Sequence, residues 1–161
     1  MHHYTKYFII TLAAVALGIF FWPEFSSASY NQLTSSLDRL IISAGKNFPE
    51  KDGQILFTIA CGIIPIIHFG LLKLTGKRSI KDNAFILLTL IISGIVLWEL
   101  YIFNKILTLS SRNYDLKNMD TNTHFMISQD DLNPELFFTL GIIFGAILVV
   151  FRYKRLLKNK R

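Results

Sequence analysis

Residues 84–107 read AFILLTLIISGIVLWELYIFNKIL, a run whose only charged side chains are Glu99 and Lys105. Crossing a hydrocarbon core of about 30 Å takes roughly 20 helical residues, so this stretch is long and apolar enough to span a bilayer. Three further stretches qualify on the same grounds, residues 4–22, 55–74 and 134–153. The chain of 161 residues is 52% apolar and 17% charged, which excludes a disordered tail and an ordinary soluble domain. The sequence therefore predicts an all-α polytopic membrane protein, a single domain over residues 1–161 with four transmembrane helices.

The flanks of these runs carry helix punctuation. Asn133, Pro134 and Glu135 supply an N-cap, a proline at the first helical position and an acid in the first turn. Asp82 and Asn83 offer a similar start for the third span, and Pro23 predicts the end of the first. Aromatic residues mark the ends, with Trp22, Trp98, Tyr101, Phe151 and Tyr153 at headgroup depth. A cleavable signal peptide ending at Ala28 is the alternative for the first run. Its apolar stretch is slightly long for that role, and retention of the span is the expectation.

Cytoplasmic loops retain Lys and Arg. Eleven of the seventeen lie in the N-terminal segment, in the hairpin 75–83 with its flank (Lys73, Lys77, Arg78, Lys81), and at the basic C-terminal end. That end comprises Arg152, Lys154, Arg155, Lys158, Lys160 and Arg161, with the tail proper at 154–161. Nine of the eleven acids fall in the loops 23–54 and 108–133 with their flank. Both termini are therefore expected in the cytoplasm, with the two long loops outside and a bacterial inner membrane as the compartment. The tail serves as topology anchor and contact for anionic lipid, not for nucleic acid.

The outside loops differ in character. Leu33, Leu37, Leu40, Ile41 and Ala44 recur at helical spacing, and Ser35 with Asp38 resembles a capping box. A short amphipathic helix ending at Gly45 and lying on the outer surface follows. Loop 108–133 is polar and acidic, with Met119, Phe125, Met126 and Ile127 as apolar anchors. It reads either as a segment ordered against a partner or as a solvated tether.

Several chemistries are excluded. A single cysteine, Cys61, permits no intramolecular disulfide and no cysteine metal cluster. His68 is the one histidine in an apolar run, so bis-histidine haem ligation needs a second chain. The sequence contains no phosphate loop, no HExxH site, no GxSxG elbow and no pair of intramembrane aspartates. A non-enzymatic protein without cofactor or metal is the expectation.

Glu99 is the most unusual residue, because an acid within a span is costly and is a functional candidate by default. Its alternatives are ion or proton passage, partner binding, or an acid reaching the interface beside Trp98 and Tyr101. His68 follows Pro65, whose missing N–H frees the carbonyl of Cys61, and the pair suggests a polar pocket or a histidine bonded to a neighbouring helix. The offsets of His68 and Glu99 from mid-bilayer lie on opposite sides, so the two form no dyad. Gly141 with Gly145, Ala14 with Gly18, and Gly94 beside Ser93 place small residues where helices approach closely, within the bundle or between chains as a homo-oligomer.

Four spans, internal termini, two outside loops, the basic hairpin Lys77, Arg78 and Lys81, and the basic end Leu156, Leu157 and Lys158 resemble the immunity proteins against pore-forming colicins of the A type. Phe103, Asn104, Leu107 and Thr108 at the exit of the third span are a local echo. The resemblance implies an inner-membrane bundle that recognises a membrane-inserting toxin domain, and so binding rather than catalysis. The resulting expectation is a protein that binds lipid and another integral or membrane-inserting protein, as an accessory subunit or as an immunity-type blocker. A small ion or proton transporter acting through Glu99 and His68 is the alternative.

Overall fold

The computed structural model describes residues 2–37, 40–43, 49–76, 79–117, 125–128 and 132–158. Four helices account for nearly all of this: α1 (His2–Ser36), α2 (Pro49–Thr75), α3 (Ile80–Lys117) and α4 (Pro134–Lys158). Two short strands, β1 (Leu40–Ser43) and β2 (Phe125–Ser128), pair in parallel with Leu40 opposite Phe125 and Ser43 opposite Ser128. All four helices are long and apolar enough to cross a membrane.

The helices run up, down, up and down, so one end of the bundle gathers the start of α1, the end of α2, the start of α3 and the end of α4, while the other gathers the end of α1, the start of α2, the end of α3 and the start of α4. We refer to these as the terminal end and the loop end. Contacts fix this arrangement at both ends. Tyr7 of α1 meets Phe69 of α2 at the terminal end, where Tyr153 of α4 donates to Asp82 Oδ1 of α3. At the loop end the Asn133 amide, just before α4, donates to the Tyr101 hydroxyl on α3. The most extensive packing is α3 on α4 and α1 on α2, with α2 also seated against α4.

Two features of α1 differ from expectation. Pro23 does not end the helix, which continues to Ser36 with the proline inside it. One missing N–H leaves the carbonyl of Ile19 without its helical donor, a local loss that packing on both sides of the proline outweighs. Leu33 belongs to this extension and not to a separate amphipathic helix, and Leu37 follows directly on its end. Both side chains are buried at the loop end, and residues 40–43 are extended as β1. Asp38, Ala44 and Gly45 lie outside the described residues. In α3 the helix starts at Ile80, where the Ser79 carbonyl accepts the Asn83 amide, so Asp82 and Asn83 occupy the first turn rather than the cap. Gly76 takes φ +63°, the left-handed conformation with which glycine stops a helix at little cost, and α2 ends at Thr75.

Among the described residues the interior divides into two apolar clusters. The larger joins Trp22, Phe57, Leu71, Ile86, Leu90, Phe138, Ile142 and Val149 along the bundle. The second, at the loop end, joins Leu33 of α1 and Leu37 just past its end with Tyr101, Ile102 and Leu109 of α3 and with Leu132. The outward faces are also apolar: Phe8, Ile19 and Phe20 on α1, Ile66 on α2, Ile92 on α3 and Phe151 on α4 are exposed. So large an apolar surface is untenable in water and is what lipid requires.

The length of α1 and α3 positions the site. At 1.5 Å per residue, helices of 35 and 38 residues extend about 52 and 57 Å, or about 22 and 27 Å more than a bilayer core of about 30 Å. Because α4 begins beside Tyr101, most of the excess projects from the loop end.

Candidate functional site

The projecting platform is built from side chains that α1 and α3 present to each other. Phe25, two residues after Pro23, is its foundation. Its ring stacks on Phe57 of α2 at a centroid distance of 4.4 Å and lies 5.0 Å from Trp98 of α3 and 5.6 Å from Phe138 of α4. One aromatic residue thus touches all three other helices, each contact adding to the area it buries. A turn further, the Trp98 indole donates to Ser29 Oγ at 3.0 Å, and Ser29 in turn donates to the Phe25 carbonyl at 2.9 Å. Ser29 is fully buried, so each polar group in this chain is satisfied by the next.

Glu99 lies at this level. It is exposed, and its Oε1 accepts a hydrogen bond from Gln32 Nε2 at 3.2 Å. The acid therefore stands at the loop-end edge of the bundle, where α1 supplies a neutral partner. Lys105 sits over the Tyr101 ring one turn beyond, 5.7 Å from its centroid, and Tyr101 stacks on Phe137. Glu135, which the sequence places simply in the first turn of α4, is buried. There it benefits from the positive end of the helix dipole. It borders Gly53, at which a Cβ would lie 2.7 Å from the Trp22 ring and 3.4 Å from the Glu135 carboxyl carbon.

His68 is placed at the opposite end. Its Nε2 is 3.2 Å from the carbonyl oxygen of Asn83, and since a carbonyl can only accept, that nitrogen carries the proton. Asn83 and Glu99 are sixteen residues apart on α3, about 24 Å along the axis, so His68 and Glu99 do not share a site. Pro65 is buried within a continuous α2. Among the described residues no three of His, Cys, Asp and Glu converge as a metal site would require. The Trp22 indole nitrogen, the Thr58 hydroxyl and the Asn83 side-chain oxygen are buried without hydrogen-bond partners among the described residues.

The small residues face other helices of the same chain. A Cβ on Gly141 would strike the Ser93 carbonyl oxygen and the Gly94 backbone, and one on Gly145 the Ser93 hydroxyl. Gly94 faces the Phe138 ring, and Gly18 lies against Thr58 and Cys61 of α2, with Ala14 half-buried one turn earlier. Of the basic end, Arg152 lies over the Phe85 ring at 4.0 Å, and Lys154 and Arg155 are exposed. Lys160, Arg161 and the hairpin residues Lys77 and Arg78 lie outside the described residues, as does Met119.

Compared with known protein families, curated proteins and solved structures, the chain matches none. Phe25, Ser29 and Gln32 are the site residues that reading the sequence misses. Their signal is the spacing Trp22, Phe25, Ser29, Leu33 and Leu37, which continues one helical face across Pro23.

Proposed function

We propose that this is a non-enzymatic inner-membrane protein that binds another membrane-embedded or membrane-inserting protein at its loop end. Both termini lie in the cytoplasm in this reading, and the platform of α1 and α3 stands outside. The observation that carries it is the platform itself. Leu33, Ile102 and Leu109 are buried there, so a prearranged, packed surface projects past the start of α4. Preorganisation of this kind lowers the ordering cost of association. The charge pattern supports the orientation, with Lys and Arg concentrated toward the terminal end and acids toward the loop end, several of them in the helix ends there. The acidic loop end also favours a basic partner surface and would speed its approach.

An accessory subunit of a membrane complex and an immunity-type blocker of a pore-forming toxin are two forms of this function. Transport through Glu99 and His68 is less well supported, because the two are held at opposite ends of the bundle by Gln32 and Asn83. Purification of tagged protein from its native membranes in mild detergent, followed by intact-complex mass measurement, tests the reading. A stoichiometric membrane-protein partner is expected. A homo-oligomer carrying lipid alone would contradict it and direct attention to ion flux through a Glu99→Gln variant in proteoliposomes.

A further inference from the structure

A groove of about 280 Å³ runs between α2 and α4 on the outer surface of the bundle. Ile67 of α2 and Ile143, Ala146, Ile147 and Val150 of α4 line it, and Lys154 closes it at the terminal end. The α4 residues recur at three- and four-residue intervals, so they form one stripe along the helix. From Ile143 to Lys154 the stripe is eleven residues, about 16 Å, which equals the depth of one leaflet of a bilayer core about 30 Å thick. Its far end therefore reaches the midplane while Lys154 reaches headgroup depth.

The basic residues at this end are not equivalent. Arg152 is drawn over the Phe85 ring toward α3, and Tyr153 donates to Asp82 on the same helix. The apolar stem of Lys154 lines the groove, and a lysine laid on apolar surface in this way carries its ammonium out to the interface. A slot of leaflet depth with apolar walls and a positive charge at its mouth is complementary to an anionic phospholipid, with an acyl chain between the helices and the phosphate on Lys154.

We propose that the α2–α4 groove is a seat for one anionic phospholipid of the leaflet on the tail's side, with Lys154 as its headgroup contact. The inference rests on the chain spanning a bilayer and not on its binding a protein partner. It also assigns Lys154 a role distinct from the diffuse attraction of the other basic residues in the tail.

Delipidated full-length protein would be titrated with phosphatidylglycerol and with phosphatidylcholine of identical acyl chains, and lipid-bound fractions read by intact-complex mass measurement. One phosphatidylglycerol per chain is expected, bound at least about fivefold more tightly than phosphatidylcholine, the effect of one cation beside an anionic headgroup. Lys154→Gln should abolish that preference, and Arg155→Gln should leave it. Ala146→Leu should weaken both lipids by filling the floor of the groove. Ile147→Trp, on the exposed lip, is the second filling variant and spares the interior packing. Retention of the preference in Lys154→Gln, equal loss in Arg155→Gln, or unchanged binding in both filling variants would overturn the proposal. Partner capture by the Lys154→Gln variant is an independent readout: its loss or retention bears on the protein-binding function and leaves the lipid titration to be judged on its own.

Discussion

Gly141→Val is expected to destabilise the folded bundle by about 3 kcal/mol, the upper part of the usual range for forcing carbon into a close-packed interface. The reason is what a side chain would meet. A Cβ at Gly141 falls on the Ser93 carbonyl oxygen, with Gly94 Cα 2.6 Å away, and backbone atoms cannot turn aside as a flexible side chain can. The α3–α4 interface, the most extensive in the molecule, would have to open along its length. Gly145 is different, because the first atom a Cβ meets there is the Ser93 hydroxyl oxygen, although the Thr89 carbonyl is also close at 3.0 Å. Gly145→Ala should therefore be partly rescued by Ser93→Ala, a coupling of about 1 kcal/mol in a double-mutant cycle. Gly70→Ala supplies the control, since a Cβ there has no neighbour within 4 Å and the change should raise stability by about 0.5–1 kcal/mol through helix propensity. Reversible unfolding in mild detergent with increasing denaturant checks all of these variants. Equal stability of Gly141→Val and wild type would mean that α3 and α4 do not approach so closely in the membrane.

The second large effect is expected at the loop end. Leu33 is 1% exposed, among Ile102, Leu109 and Leu132, and Leu33→Ala should cost about 2–4 kcal/mol through the transfer and cavity contributions together. Phe20→Ala removes a larger side chain from the same helix but one that is 68% exposed on the lipid face, where hydrocarbon replaces hydrocarbon, and its cost should be close to zero. The contrast is measured by the same unfolding experiment together with hydrogen exchange across residues 26–36 and 101–111. Faster exchange in both segments on Leu33→Ala is the expected signature of a coupled platform. No change in either segment would show that α1 beyond Pro23 is not packed on α3.

Apolar runs of sufficient length and a proline after an asparagine at the start of α4 are local signals, and each helix core is legible from them. The extension of α1 past Pro23 is not, because the rule that proline stops helices describes the loss of one hydrogen bond and is silent on the packing that a continued helix makes possible. Phe25 touches three other helices and Ser29 accepts from Trp98, and that packing depends on residues far away in the chain. The same limit applies to Leu40 and Ile41, whose helical spacing with Leu33 and Leu37 conceals the strand pairing with Phe125 and Met126. Glu99 is conspicuous in the sequence as an acid in an apolar run. That Gln32 meets it at the loop end follows from the continuation of α1, so its surroundings become visible only with the fold.

The proposed function puts the binding site for a second membrane protein on the platform of α1 and α3. It is tested most directly by placing a photoreactive residue at Gln32 or at Ser111, and at the lipid-facing Phe20 as a comparison, and irradiating native membranes. Both Gln32 and Ser111 should yield one discrete cross-linked product of the same added mass, assigned to a single membrane protein, with none from Phe20. Products confined to lipid or to a second copy of the chain, or a partner captured equally from Phe20, would contradict it.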